Sequence, residues 1–327
     1  MKKFLMYAAL SAALCTVATS CDSDDDGNEG GGSVVPPTEA SNFGGERLTS
    51  VSNDYGYNIT FSYNSDGSLR QVNDDDSKII FDYSKGILTF SDDDTHQEAR
   101  FTTNDKGYIT GFSCSQSYND EGSKYESKVS YQFKYNGGGH LISVICNEEE
   151  TYRGSKDVTD ITWSLSWNGD LLTTVDIKGS YKSPSEGIDD KWSTVNDFTY
   201  DQAPDNNYMQ YTNAIIDAID LDGDIEAPMF AGILGKGPSK YPTKIVTNCT
   251  DDEDTSTEEQ SYDINAKGLV ETEYGHQYDG YGEYDWSVSY GYGSASKVAS
   301  RSNGKSVDKI IRHGNPRNHV SLFKRMK

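Results

Sequence analysis

The feature that most constrains this chain is a unit of alternating strand, tight turn and alternating strand that recurs along most of its length. Ile59 to Tyr63 alternates, Asn64-Ser65-Asp66-Gly67 turns, and Ser68 to Val72 alternates again. Ser84-Lys85-Gly86 joins Ile79–Tyr83 to Ile87–Phe90, and Asn104-Asp105-Lys106-Gly107 joins Arg100–Thr103 to Tyr108–Phe112. Asn136-Gly137-Gly138-Gly139 joins Val129–Tyr135 to His140–Ile145, and Asn168-Gly169-Asp170 joins Ile161–Trp167 to Leu171–Ile177. Asn265-Ala266-Lys267-Gly268 joins Ser261–Ile264 to Leu269–Glu273. Asn and Asp tolerate positive φ and Gly adopts it without strain, so each unit is a β-hairpin. Period-two alternation then places one row of side chains on each face of a sheet.

Counting such runs predicts an all-β fold, a large antiparallel meander of about sixteen strands. A sheet of more than about ten strands does not lie flat and open, so this one must coil strongly or close into a barrel. A transmembrane barrel is the rival. Its strands need roughly ten residues with one apolar face toward lipid. Here that face is broken by Ser, Thr, Asp and Lys, and several runs are shorter. The expected barrel is therefore peripheral to the membrane. Near residues 206–235 the alternation stops and Ala, Ile and Met become common. Tyr208, Tyr211, Ile215 and Ile219 fall at helical spacing, which predicts a helical insertion that plugs one end of the sheet's core.

The N-terminus reads as an address. Met1-Lys2-Lys3 is followed by an apolar run from Phe4 to Ala18, too short for a spanning helix, and then by Ala18-Thr19-Ser20-Cys21. This is the layout of a secretory signal peptide over residues 1–20. Cys21 at the cleavage point resembles a bacterial lipobox, with Ala18 where Leu is usual. The resemblance implies a lipidated Cys21. Ser23, Asp24, Asp25 and Asp26 resemble the surface-export signal of Bacteroidota lipoproteins, which implies display on the outer face of the outer membrane. Residues 21–44 form an acidic, Gly- and Pro-containing tether, and residues 45–292 form the single β domain. Residues 293–327 carry nine Lys and Arg against one Asp and lack the alternation, and are read as a disordered tail.

Net charge is −23, from 52 Asp and Glu against 29 Lys and Arg. That balance disfavours binding to a phosphate backbone, which needs cations, so no nucleic-acid partner is expected. Cys114, Cys146 and Cys249 lie in strand-like runs and read as small apolar filler. No C-x-x-C, H-E-x-x-H, G-x-S-x-G or phosphate-loop motif occurs, so no catalytic residue, metal or cofactor is expected. His140 falls at a hairpin turn, where it is expected to be exposed. Asp74–Asp76, Asp92–Asp94 and Asp251–Asp254 fall in loops and read as solubilising charge that discourages edge pairing. Trp163, Leu165 and Trp167 share one strand face and read as core. Trp192, Tyr278, Tyr281, Tyr284 and Trp286, set among Gly and polar residues, are the candidate ligand-binding aromatics.

The acidic segment after Cys21, the Phe61–Leu69 hairpin, and Ile219-Asp220-Leu221 with Gly235-Lys236-Gly237-Pro238-Ser239-Lys240-Tyr241-Pro242 together resemble a family of Bacteroidota lipoproteins. That family carries a domain of unknown function with a porin-like fold, and its hairpins are similar to YD-type repeats. The resemblance spans about residues 45–292. It implies a porin-like but soluble sheet and brings no catalytic residues with it.

The function this reading favours is a surface-exposed, non-enzymatic outer-membrane lipoprotein binding an extracellular glycan or protein. An envelope-assembly component without soluble ligand is the alternative. A carboxylate-dependent glycosidase, which needs two facing acids in a cleft, ranks third.

Overall fold

The computed structural model describes residues 34, 36, 42–74, 77–91, 96–120, 123–221, 223–249, 255–279 and 282–294. Cys21, the export segment and residues 295–327 of the basic tail lie outside the described residues, whereas Gly293 and Ser294 belong to the last strand. Sixteen antiparallel strands close into one barrel in simple meander order, with the last strand pairing with the first. They are β1 (Glu46–Asn53), β2 (Asn58–Tyr63), β3 (Leu69–Asp74), β4 (Ser77–Asp82), β5 (Ile87–Ser91), β6 (His96–Thr103), β7 (Ile109–Asp120) and β8 (Ser123–Tyr135). There follow β9 (Leu141–Tyr152), β10 (Ser155–Asn168), β11 (Leu171–Ser183), β12 (Ile188–Thr199), β13 (Lys244–Cys249), β14 (Thr255–Ile264), β15 (Val270–Asp279) and β16 (Gly282–Ser294). The expected all-β meander of about sixteen strands is thus a closed barrel.

The turns at one end are near-copies of each other. In three of them, after β6, β8 and β14, the side chain of Asn104, Asn136 or Asn265 accepts from the backbone N–H groups two and four residues on. Gly107, Gly139 and Gly268 then take positive φ. Just before such turns an inward aromatic residue donates to a carbonyl of the strand preceding its own. Tyr63 reaches Leu48 O at 2.8 Å, Tyr135 reaches Ile109 O at 2.6 Å, and Trp167 Nε1 reaches Leu141 O at 2.8 Å. Tyr200 reaches Leu172 O at 2.8 Å in the same way. A register shift lies beside Tyr63, Thr103, Tyr135 and Trp167, with the extra residue on the following strand.

The connection from β12 to β13 holds the insertion, with α1 (Asn213–Ile219) and α2 (Gly223–Phe230). The helix expected from the spacing of Tyr208, Tyr211, Ile215 and Ile219 is shorter than that. Only Ile215 and Ile219 are helical, and Asp220 ends α1 with φ of 51°. Ile215, Ile219, Leu221, Met229, Phe230, Ile233 and Leu234 are buried in the same core as the inward strand residues. The insertion is therefore a plug, and it is laced to the turns around it. Ile109 N–H donates to Ile233 O, Lys236 N–H to Gly139 O, and Ser239 N–H to Asp170 O. This is the work of the Gly-Lys-Gly-Pro-Ser-Lys segment. Gly235 takes φ of +95°, and a Cβ there would come within 2.5 Å of Gly139 O.

His140 is the main correction to the reading from sequence. It is 1% exposed, stacked on Trp167 with ring centroids 4.2 Å apart. Its Nδ1 lies 3.1 Å from Lys236 O and its Nε2 lies 2.9 Å from Asp170. A polar residue at a turn is exposed only if nothing folds over the turn, and here the plug does. Two tether-region residues also pack inward: Phe43 is buried and Val34 packs against the core.

The outward rows are polar. On β10 they are Lys156, Val158, Asp160, Thr162, Ser164 and Ser166, and on β11 Thr174, Asp176, Lys178, Ser180 and Lys182. A lipid-facing barrel carries a continuous apolar band on this side, and these rows present none. Among the described residues, no helix is long and apolar enough to cross a membrane.

Candidate ligand-binding wall

The barrel is taller on one side. Strands β7 to β12 run 12 to 14 residues, whereas β2 to β5 run five or six. Because the plug-side turns are equivalent, the extra residues extend the opposite rim. The tight turn Arg153-Gly154, both residues at positive φ, fixes the pairing of β9 with β10 there.

Directly opposed residues of an antiparallel pair share a face. The inward row of the tall wall therefore runs through Tyr118 opposite Tyr125, Tyr125 opposite Tyr152, Glu150 opposite Asp157, Thr159 opposite Tyr181, Tyr181 opposite Asp190, and Gly179 opposite Trp192. Above the apolar core the interior is thus lined with carboxylates and aromatic rings. Tyr125 donates to Glu150 at 2.6 Å, and Tyr181 donates to Asp157 at 3.2 Å. Burial, and then the hydrogen bond to Glu150, pushes the Tyr125 hydroxyl well above its usual range, so it stays a donor. Asp157 Oδ1 is buried with no hydrogen-bond partner. Tyr118 is 51% exposed, and its ring lies 4.7 Å from that of Tyr125. Two carboxylates face one another across adjacent strands at Glu150 and Asp157, an arrangement that costs stability unless something offsets the like charges.

The sequence-predicted aromatics divide between surfaces. Trp192 lies inward on the tall wall, half-buried, across Gly179, where a Cβ would meet its ring at 2.1 Å. Trp286 lies inward on β16 across Gly275 in the same manner, at 2.0 Å, and Tyr284 is inward beside Gln277. Both tryptophans are half-buried because a glycine opposite lets the indole lie flat against the wall. Tyr278 lies on the outer face opposite Glu283. Tyr281 lies outside the described residues. The five therefore do not form one platform. The tall wall's Tyr125, Glu150, Asp157 and Tyr181 escaped the reading from sequence, because only the register fixed by the Arg153-Gly154 turn brings them together.

Comparison with known proteins bears on the fold. A porin-like protein from Bacteroides vulgatus ATCC 8482 is similar in structure, with a TM-score of 0.50 at 14% identity, covering 75% of this chain and 98% of that one. A porin-like protein from Bacteroides uniformis ATCC 8492 matches with a TM-score of 0.48 at 15% identity, covering 75% and 96%. The barrel is porin-like. The likeness is one of fold. No protein-family model matches the sequence, and no curated protein matches it. Within this porin-like barrel the plug and the inward aromatics fill the plug end. Among the described residues Cys114, Cys146 and Cys249 form no disulfide; Cys146 is buried, whereas Cys114 and Cys249 are half-buried. No group of three or more His, Cys, Asp or Glu among the described residues is arranged to hold a metal ion.

Proposed function

We propose that this protein is a lipid-tethered, non-enzymatic binding protein on the outer face of the outer membrane, and that its tall wall grips an extracellular glycan. The observation that carries the reading is the polarity of the barrel. β1 begins and β16 ends at the plug end, so a tether on Cys21 would hold that end toward the membrane. The aromatic and carboxylate wall would thus face away from the cell.

Aromatic faces stack on the C–H faces of sugars, and carboxylates accept from sugar hydroxyls, so the inward row suits a glycan. A glycosidase is disfavoured because Glu150 and Asp157 stand side by side on one wall, each accepting from a tyrosine. Canonical glycosidase carboxyls flank the scissile bond instead.

Two experiments test the reading. Cys21→Ala should release the protein from membranes, and unchanged membrane association would remove the anchor. The full mature protein should bind on a glycan array, with Trp192→Ala and Asp157→Asn each weakening binding at least tenfold. A blank array together with a blank pull-down from outer-membrane extract would overturn the binding role.

A further inference from the structure

We propose that the inner face of β14–β16 holds a second subsite, built by Gln260, Gln277 and Trp286, that takes one neutral sugar ring. The proposal rests on the glycan-binding reading and names a different place in the barrel. Gln260 stands opposite Gly275, Gly275 stands opposite Trp286, and Gln277 stands opposite both Glu258 and Tyr284. Glu273 and Val288 share this face two residues away and are buried in the core, so the face is interior. Gln260 is 7% exposed and Gln277 is 3% exposed. Gln260 Nε2, Gln260 Oε1 and Gln277 Oε1 are all buried without a hydrogen-bond partner.

Buried polar groups are ordinarily paired, and each exception calls for a physical reason. Here three exceptions cluster on two neighbouring side chains, beside an indole laid flat on a glycine. A donor and two acceptors are open at once, and both side chains are uncharged. A sugar hydroxyl donates and accepts together, so neighbouring hydroxyls on one ring would satisfy both amides. The apolar face of the same ring would stack on Trp286. Gly275 is what makes room, because a Cβ there would meet Trp286 Cε2 at 2.0 Å. A cationic ligand would find Glu258 in the patch but would leave the amide acceptors and donor unmatched as a set. A purely apolar ligand would bury them without partners, which is the costly arrangement.

The test titrates the full mature protein with cellohexaose, xylohexaose, mannohexaose and maltohexaose. The readouts are calorimetry and the side-chain amide NMR signals of Gln260 and Gln277. At least one oligosaccharide should bind and shift both pairs of signals. The double variant Gln260→Leu, Gln277→Leu should bind it at least tenfold more weakly while melting no lower than wild type, since apolar replacement removes unpaired buried polar groups. Unmoved amide signals with all four sugars, or undiminished binding by the double variant, would overturn the subsite and leave the amides holding ordered water only. Should the double variant fail to fold, the wild-type amide signals decide alone. Binding lost in Trp192→Ala but kept in the double leucine variant sinks the subsite and leaves the tall-wall reading standing. Absence of any glycan binding by wild type, on the array and in these titrations, sinks both.

Discussion

Glu273 offers the sharpest test of how the plug is held. It sits on β15 with none of its surface exposed. Its carboxyl accepts from Asn213 N–H at 2.9 Å and Ala214 N–H at 3.3 Å, the first residues of α1, and from the Tyr290 hydroxyl at 2.6 Å. A strand residue thus caps the helix that fills the barrel. Burial pushes this carboxyl up from 4.5 to about 7, and the Tyr290 and backbone donors offset only part of that rise. The folded pKa is the higher one, so between about pH 4.5 and 7 the native state holds a proton that the unfolded chain has lost. The stability contributed by the protonated group is therefore complete below the unfolded pKa and is lost as pH rises through the folded one. The difference of 2.5 units, at about 1.4 kcal/mol each, makes the loss about 3 kcal/mol.

Glu273→Gln keeps the size and the acceptor oxygen but cannot ionise. Urea unfolding of wild type and Glu273→Gln at several pH values from 4 to 8 measures the effect, and the other acids cancel in the difference. Wild type should lose about 3 kcal/mol relative to the variant across this window. Parallel curves would refute the argument, because they would mean that Glu273 is neither buried nor perturbed in the folded protein.

Two further outcomes follow from the packing. His140→Ala removes two hydrogen bonds and the stack on Trp167, which should cost about 2–4 kcal/mol in chemical unfolding, and His140→Phe should recover only the stacking part. Equal stability of His140→Ala and wild type would contradict the plug-to-turn lacing. Gly179→Ala forces the Trp192 indole off the wall, costing about 1–3 kcal/mol and moving tryptophan emission, whereas Gly137→Ala, with open space around it, should change neither.

The strands, their turns and the inward or outward parity of most side chains are legible from the chain, because period-two alternation and the Asn and Gly turns act over a few residues. The Phe-x-Tyr-Asn hairpin could be read at Phe61 to Gly67 with no partner strand in view. The polar outer wall was legible for the same reason: Lys156, Asp160, Thr162, Ser164 and Ser166 alternate with Ile161, Trp163 and Leu165 in plain sequence. The plug was legible as composition and not as geometry. Its apolar residues marked burial, but the αL residue Asp220 cuts short a helix that spacing alone prolongs.

Sequence by itself determined that this chain is a ribbon of antiparallel hairpins with one wet face and one dry face. Tertiary structure decided the rest: that β16 returns to β1, that one wall stands above the other, that His140 lies beneath the plug, that Glu150 meets Asp157, and that Gln260 and Gln277 are neighbours with unmet hydrogen bonds. The physical reason is range. Alternation and turn chemistry are local, whereas burial and pairing depend on which distant segment arrives opposite, and that is set by the register summed around the whole barrel.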